Sequence, residues 1–381
     1  MRILIVCSCI EPGRDGVGDY TRLLAGECIR LGHAAAIIAL NDRHLADDVL
    51  ELAGEPLTLR LSARAPWKTR VVTAASFARK FAADWVSMQF VGYGFHEKGI
   101  VVALPARLRQ IVGTSRLHVM MHELWSGGPL CTPRQRLVGM IQRWCVTRML
   151  RVLRPAVLHS NRPVCIGTLA AAGFHAGLLP LFGNIPIADM TDAQGLNERL
   201  RGKEDDEPPV WLGGFFGSIY GEWRPEPLLP MLARVASQRG RRLRLVSIGR
   251  LGAASEQVWD QLVETYSGRI EFLRLGEQPA RRLSQILQLL DFGIPSAPWD
   301  LLGKSGAAAA MLDHGLPLLV LPDLDCGFAG ELAIAGDARL VHKCDDGALE
   351  SKLLSGLDKL PPASSLPHVA AQFIECLRNA N

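Results

Sequence analysis

The sharpest chemical signal in the sequence is the pair His122–Glu123, which directly follows the apolar run of residues 117–121. A strand over that run would place both side chains at the carboxyl edge of a parallel sheet, where open α/β proteins bind ligands. Histidine can bond to a sugar hydroxyl or stabilise a developing phosphate charge, and glutamate can act as a base. We therefore predict a catalytic pair here, with a purely structural His–Glu pair as the alternative.

Two other segments in the first half combine glycine with polar side chains. Gly16 and Gly18 lie in a loop that opens a helix, followed by Asp19 and Tyr20. Glycine lets a backbone approach a ligand, and helix N–H groups favour an anion or a hydroxyl. Together with Gly13 these glycines have the spacing GxxGxG, not the GxGxxG of dinucleotide-binding proteins. An ordinary strand-to-helix turn is therefore the alternative.

A glycine-rich aromatic loop follows the strand-like run of residues 84–90. Gln89 lies near the end of that run, and Tyr93 lies in the loop. Loops of this kind line ligand clefts in doubly wound folds, so we predict that both residues contact a ligand. The alternative is that the aromatic side chains only pack on the core.

The second half contains two glycine turns suited to phosphate. Gly217 and Ser218 follow an apolar run, and Arg224 lies shortly after them. Farther on, residues 304–306 form a Lys-Ser-Gly turn before an alanine-rich helix over residues 307–314. A helix N-terminus with a cation and a hydroxyl can hold a diphosphate. Ser305 can equally be the helix N-cap, and the two roles are compatible.

The elements that would position these residues alternate between strand and helix. Strand-like runs at residues 2–9, 34–40, 84–90, 117–121 and 156–160 alternate with helical patterns, which indicates βαβ units and a parallel sheet. A second α/β series starts at Val210. We predict an N-terminal domain over residues 1–186, a linker over 187–208, a second domain over 209–360, and a helix over 361–381 that packs back on the first domain.

Composition supports a folded two-domain protein. The chain has 381 residues, 48% hydrophobic and 21% charged, and its net charge of +4 gives no indication of nucleic acid as a partner. Nine cysteines without CxxC spacing predict reduced thiols, a cytoplasmic location and no metal site. Because no apolar run is long enough to span a bilayer, any membrane contact is expected to be peripheral.

One predicted helix could provide such a contact. Six arginines between Arg134 and Arg154 are interleaved with large apolar residues such as Leu137, Met140 and Trp144. This pattern fits a basic amphipathic face for an anionic membrane or a lipid-linked acceptor. It also fits a core helix with a solvated outer face, which is our expectation.

In their order along the chain, these segments resemble the GT-B glycosyltransferases, especially the retaining group that includes many bacterial cell-surface glycan enzymes. The resemblance covers nearly the whole chain and rests on segments of low individual specificity. They are residues 16–20, Gln89 with its loop, His122–Glu123, and residues 179–186, 216–220, 304–306 and 315–317.

The resemblance implies an α/β protein with two Rossmann-like domains that face a central cleft. It also implies a nucleoside-diphosphate sugar donor, a sugar or lipid-linked acceptor, and metal-independent, retaining transfer without a cofactor. His122 and Glu123 would be catalytic. The donor side would comprise Gly16, Gly18, Gly217, Ser218, Arg224, Lys304, Ser305 and Gly306, and the acceptor side Asp19, Tyr20, Gln89 and Tyr93.

Two departures from that family pattern matter. Typical members have two glutamates eight residues apart around the second phosphate loop, whereas this chain has Leu302 and Ala310. The usual arginine and lysine correspond to Ser218 and about Trp223, although Arg224 is adjacent. A sugar- or nucleotide-binding subunit without turnover is therefore one alternative, and a nucleotide-sugar epimerase is another.

Overall fold

The computed structural model describes residues 1–51, 56–127, 132–202, 208–221, 223–322, 334–344 and 347–380. The chain divides into two compact units. The first comprises Met1–Pro180 and Leu366–Asn381, and the second comprises Leu181–Ser365. Each unit contains a largely parallel sheet with helices, as the sequence predicted.

Eight strands form the sheet of the first unit. They are β1 (Arg2–Cys7), β2 (Ala34–Asp42), β3 (Val49–Glu51), β4 (Leu57–Ser62), β5 (Trp85–Phe90), β6 (Arg116–Met121), β7 (Val157–Ser160) and β8 (Gly177–Leu178). Their order across the sheet is β3-β4-β2-β1-β5-β6-β7-β8, and only the β3–β4 pair is antiparallel. The strands β1, β2, β5, β6 and β7 confirm the predicted runs, whereas β3, β4 and β8 were not predicted.

Helices connect these strands and bury the central ones. They are α1 (Gly16–Arg30), α2 (Trp67–Phe81), α3 (Gly92–Phe95), α4 (Leu104–Val112), α5 (Pro133–Leu153) and α6 (Pro163–Ala171). Every residue of β5 is buried. Parallel strands covered on both faces are continuous apolar runs, which explains why the sequence predicted them well.

The second unit has six parallel strands in the order β11-β10-β9-β12-β13-β14. They are β9 (Val210–Phe216), β10 (Arg242–Ile248), β11 (Glu271–Gly276), β12 (Phe292–Gly293), β13 (Leu318–Val320) and β14 (Val341–Lys343). Its helices are α7 (Gln194–Arg201), α8 (Leu228–Gln238), α9 (Ala253–Tyr266), α10 (Ala280–Leu289), α11 (Gly306–Asp313) and α12 (Leu349–Ser355).

The final helix, α13 (Leu366–Asn379), belongs to the first unit and contacts α1. Val369, Phe373 and Leu377 are fully buried. The spacing of these residues by four places them on one face of the helix, which packs on the first sheet's core. None of the helices in the described part of the chain is both long and apolar enough to cross a membrane.

The described part of the predicted linker is folded within the second unit. Its helix α7 buries Leu196 and Leu200. The two terminal nitrogens of the Arg201 guanidinium, Nη2 and Nη1, donate to the Asp291 carboxylate at 2.8 and 3.0 Å. The amide of Ala188 donates to the Ser284 hydroxyl at 2.8 Å. Residues 203–207 of the linker lie outside the described residues.

A buried carboxylate joins the beginning and the end of the second unit. The Asp313 side chain, at the end of α11, accepts from the Gly183 amide at 3.2 Å and from the Ser365 amide at 3.1 Å. Burial raises the pKa of this carboxyl, while the two hydrogen bonds oppose the shift. Asp313 therefore fixes the positions at which the chain enters and leaves this unit.

Candidate functional site

Three of the predicted site residues meet at the carboxyl edge of the first sheet. His122 follows β6, and its backbone N–H donates to the Phe90 carbonyl of neighbouring β5 at 3.1 Å. The His122 Nε2 lies 2.9 Å from the Gln89 Oε1. The Tyr20 ring, from α1, lies edge-on to the imidazole with centroids 5.1 Å apart. Adjacent strands in the order β1-β5-β6 thus bring together residues far apart in sequence.

The contact with Gln89 determines which nitrogen of His122 carries the proton. An amide oxygen only accepts, so Nε2 of His122 is the donor and Nδ1 of the neutral ring is an acceptor. Burial lowers the pKa of His122 to about 4, so the ring is neutral at pH 7. A neutral imidazole with a lone pair on Nδ1 is suited to accept a hydrogen bond from a ligand hydroxyl. Because the ring has no positive charge, it is not suited to pair with a phosphate.

A chain of buried polar groups continues behind Gln89. The Gln89 Nε2 donates to the Ser87 hydroxyl at 2.9 Å, and Ser87 Oγ lies 2.8 Å from the His118 Nδ1. Because it already accepts from Gln89, the hydroxyl satisfies its own hydrogen by donating to His118. The His118 Nε2 then lies 3.1 Å from the His159 Nδ1. The chain holds the Gln89 amide in one orientation and so selects the tautomer of His122.

Burial also keeps the two far histidines neutral. It lowers the pKa of His118 well below its ordinary value and that of His159 to about 4. This series of buried polar groups was not predicted from the sequence. The available signal was the alternation of Ser87 and Gln89, which places two polar side chains on the same face of a buried strand.

The glycine loop before α1 is organised by a carboxylate. The Asp15 Oδ1 accepts from the amides of Val17 and Gly18, both at 2.9 Å, and caps the helix. A Cβ at Gly18 would lie 2.7 Å from the Cys9 carbonyl oxygen, so only glycine permits this packing. Asp19 accepts from the Gly13 amide at 3.2 Å. Gly18 and Asp19 thus have structural roles, and ligand contacts by Gly16, Gly18 and Asp19 remain predictions.

Tyr93 lies in a different cluster from Gln89. Its hydroxyl is 2.7 Å from the Ser126 hydroxyl and accepts from the Gln142 side chain at 3.0 Å. Gln142, from α5, also accepts from the Ser126 amide at 2.7 Å. These bonds join α3, α5 and the segment after β6, in which Glu123 is half-buried. The structure therefore places Tyr93 on the segment that follows the catalytic candidates.

In the second unit, the predicted phosphate turns lie side by side. Gly217 follows β9 with a φ of +80°, and a Cβ there would lie 3.7 Å from the Ala307 Cβ. Ala307 is in the first turn of α11. Next to Gly217, the Ser218 carbonyl accepts from the Ser296 hydroxyl at 2.7 Å. Strands β9 and β12 are neighbours where the strand order reverses direction, which is the usual ligand-binding position in an open α/β sheet.

Ser305 is the N-cap of α11. Its hydroxyl accepts from the Ala308 amide at 3.2 Å, and Gly306 is the first residue of the helix. Lys304 ends the 3-10 turn Trp299–Lys304 immediately before the cap. The side chain of Ser305 therefore stabilises the helix, and the first-turn backbone forms one wall of the Gly217 turn.

Arg224 lies at a small cavity in the same unit. The cavity has a volume of about 180 Å³ and is lined by Tyr220, Trp223, Arg224, Ser296, Pro298 and Leu301, among others. The Arg224 side chain is exposed and approaches the Gly221 carbonyl at 3.5 Å. Since Ser296 touches both the cavity and Ser218, Arg224 lies near the predicted phosphate turns. The described residues contain no cluster of three or more His, Cys, Asp or Glu able to hold a metal ion.

Comparison with known proteins identifies the fold. No protein-family model and no curated protein matches the chain by sequence. Among solved structures it is similar to Anabaena HepE in complex with UDP-glucose, at 13% identity over 100% of both chains and a TM-score of 0.55. The catalytic domain of starch synthase IV from Arabidopsis thaliana, bound to ADP and acarbose, matches at 12% identity over 100% of this chain and 99% of that chain, with a TM-score of 0.54.

The chain has the GT-B fold. UDP-GlcNAc 2-epimerase from Methanocaldococcus jannaschii has it too, and matches at 9% identity over 100% of both chains with a TM-score of 0.53. The GT-B fold that the resemblance implied is thus confirmed. At these identities the likeness establishes the GT-B architecture and leaves the reaction to be argued from the site.

The two positions that the sequence resemblance sets against the family's glutamates are part of the core. Leu302 is 1% exposed and Ala310 is fully buried, and both pack in the apolar cluster beneath the second sheet. The backbone of Gly183 packs closely on Ala310, since a Cβ at Gly183 would lie 2.9 Å from the Ala310 Cα. Leu302 and Ala310 therefore serve as packing residues of the second unit.

Proposed function

We propose that the chain transfers a sugar from a nucleoside-diphosphate sugar to a hydroxyl acceptor. The observation that carries the proposal is the approach of Gly217 to Ala307 in the first turn of α11. A glycine turn beside a helix N-terminus offers backbone N–H groups and a positive dipole end to a diphosphate. The fold agrees, because HepE was solved with UDP-glucose and starch synthase IV with ADP.

The donor nucleotide would bind to the second unit. The backbone of Gly217, Ser218 and Gly306 would contact the diphosphate, with Ser305 as the cap that orders the turn. Lys304 and Arg224 are the cations that we assign to it, in place of the arginine and lysine of typical members. The first unit would contact the transferred sugar and the acceptor.

In the first unit, His122 would bind the donor sugar. Its Nδ1 accepts a hydrogen bond from a sugar hydroxyl, while Gln89 holds the ring through Nε2. Catalysis would consist mainly of positioning and stabilisation of the leaving diphosphate. We propose retention of configuration without a metal, with the donor phosphate assisting on the face of the leaving group and Glu123 as the second catalytic residue.

The biological setting that we propose is cell-surface glycan or glycoconjugate biosynthesis on the cytoplasmic side. The acceptor would be a sugar or a lipid-linked sugar. All the described cysteines are free thiols, which fits a reducing compartment. Thermal-shift screening of nucleotides and nucleotide sugars tests the proposal, because donors and their diphosphates should stabilise the protein more than the nucleosides do.

Two other functions use the same fold. Burial of Leu302 and Ala310 favours a non-catalytic subunit that binds a nucleotide or sugar, since the glutamate pair is replaced by core residues. The similarity to a UDP-GlcNAc 2-epimerase favours an epimerase. Transfer to an added acceptor supports our proposal, binding without turnover supports the subunit, and a free or epimerised product without an acceptor supports the epimerase.

A further inference from the structure

Helix α5 presents an apolar stripe to solvent. Leu137, Met140 and Trp144 are 54%, 63% and 54% exposed, and Ile141 beside them is also exposed. Spacings of three and four put these four side chains on one face of the helix. The opposite face is buried, with Cys145 and Met149 among its residues. The helix therefore already has an apolar face in the core, and the stripe is a second apolar face that is exposed to solvent.

The surroundings of the stripe are strongly basic. The sequence has six arginines from Arg134 to Arg154 and no aspartate or glutamate anywhere from residue 124 to residue 188. Arg143, Arg148 and Arg151 are exposed, and the Arg148 guanidinium lies 5.8 Å from the centre of the Trp144 ring. Helices that lie in the interface of an anionic bilayer typically have large apolar side chains interleaved with arginines or lysines.

The helix is held rigidly in its unit. A capping box joins Thr132 and Gln135 at its start. Gln142 bonds to the Ser126 amide and, at 2.7 Å, to the Lys98 carbonyl. A Cβ at Gly139 would overlap the Ser126 carbonyl oxygen, so α5 packs directly on the segment that carries His122 and Glu123. The stripe is therefore a preformed surface, and it is close along the chain to the candidate site.

We propose that this face of α5 docks on an anionic phospholipid bilayer. A second copy of the chain fits the face less well, because a two-fold contact would oppose the same arginines and α5 itself has no acidic residue. A bilayer satisfies both properties, since Trp144 and Met140 enter the acyl boundary while the arginines meet lipid phosphates. The proposal does not rest on glycosyl transfer.

Flotation of the full chain with vesicles tests it. The chain should bind vesicles of phosphatidylcholine with about one third phosphatidylglycerol and should not bind phosphatidylcholine alone, and salt of about 0.5 M should release it. Arg143→Gln with Arg151→Gln should weaken binding roughly thirty-fold at low salt. Met140→Ser with Trp144→Ser should weaken it at least about tenfold.

A matched pair on another helix controls for these changes. Val72 and Arg79, both exposed on α2 of the same unit, give Val72→Ser with Arg79→Gln, which should bind like the wild type. Equal binding by the α5 variants and the wild type, or no binding by the wild type, would overturn the proposal. So would a concentration-dependent dimer that Met140→Ser with Trp144→Ser dissociates. Because no nucleotide sugar is present, these outcomes are independent of the proposed activity.

Discussion

The Gln89 side-chain oxygen lies 2.9 Å from Nε2 of His122, in a buried site where the imidazole is neutral. The contact leaves Nδ1 as the hydrogen-bond acceptor. Since Gln89 is itself held by Ser87, the geometry at His122 depends on residues that touch no ligand.

Gln89→Glu should raise the pKa of His122 from about 4 to above its ordinary value, because a carboxylate at this distance favours the imidazolium. Titration of the imidazole nitrogens by NMR measures the shift. Gln110→Glu makes the same change on the exposed surface of α4 and should leave the His122 titration where it is. A His122 pKa that stays at about 4 in Gln89→Glu would refute the contact.

Ser87→Ala should release the Gln89 amide and allow it to turn over. Its NH₂ group would then face His122, so a population of His122 with the proton on Nδ1 should appear. Imidazole ¹⁵N shifts distinguish the two tautomers. Ser87→Thr keeps the hydroxyl and should retain the Nε2–H form. If Ser87→Ala shows only the wild-type tautomer, Ser87 does not position Gln89.

The buried histidines make stability depend on pH. The pKa values of His122 and His159 are about 4 in the folded chain and close to 6.5 when unfolded. Between those values the unfolded chain binds more protons, so the free energy of unfolding falls as the pH falls. Each histidine contributes a slope of about 1.4 kcal/mol per pH unit within that window.

His159→Asn tests this slope. Asparagine keeps an acceptor for His118 but does not titrate, so the loss of stability from pH 6.5 to pH 4 should be shallower, by up to about 1.4 kcal/mol per unit. Urea unfolding at several pH values measures it, with the exposed His175→Asn as the control. Identical slopes for His159→Asn and the wild type would contradict the lowered pKa.

The sequence could predict much of the fold because its central strands are apolar runs. The chain from Gln89 to His159 could not be predicted the same way, since it requires the register in which Ser87 lies opposite His118. Helix α7 was not predicted, because its polar composition resembles that of a linker. Leu196 and Leu200 nevertheless have the spacing of one buried helical face.

Side-chain chemistry alone also does not show how a residue is packed. Gly18 is predicted to contact a ligand, and the structure adds a separate reason for glycine there, its packing on Cys9. On α5, a core helix with a solvated outer face was expected, and the structure adds that this outer face is itself apolar at Met140 and Trp144. Pattern gives helical spacing, but it does not tell which of two apolar faces the fold buries.

Lys304→Ala should weaken binding of UDP or ADP about tenfold or more, because a charge-assisted contact to a phosphate is worth roughly 1.5–3 kcal/mol. Uridine and adenosine should bind as they do to the wild type. Calorimetric titration measures both, and Lys68→Ala in the first unit makes the same change in net charge. An unchanged diphosphate affinity would show that Lys304 does not bind the diphosphate and that this turn only caps the helix.

Glycosyl transfer is measured by the release of nucleoside diphosphate from UDP-glucose and ADP-glucose, with and without sugar acceptors, in the wild type and in His122→Ala. We expect acceptor-dependent release by the wild type. His122→Ala should slow it about 100-fold while the Kd for the diphosphate changes less than about threefold, since the residue contacts the sugar. Diphosphate binding without any release would contradict glycosyl transfer, and a loss of diphosphate affinity as large as the loss of turnover would contradict the assignment of His122 to the sugar.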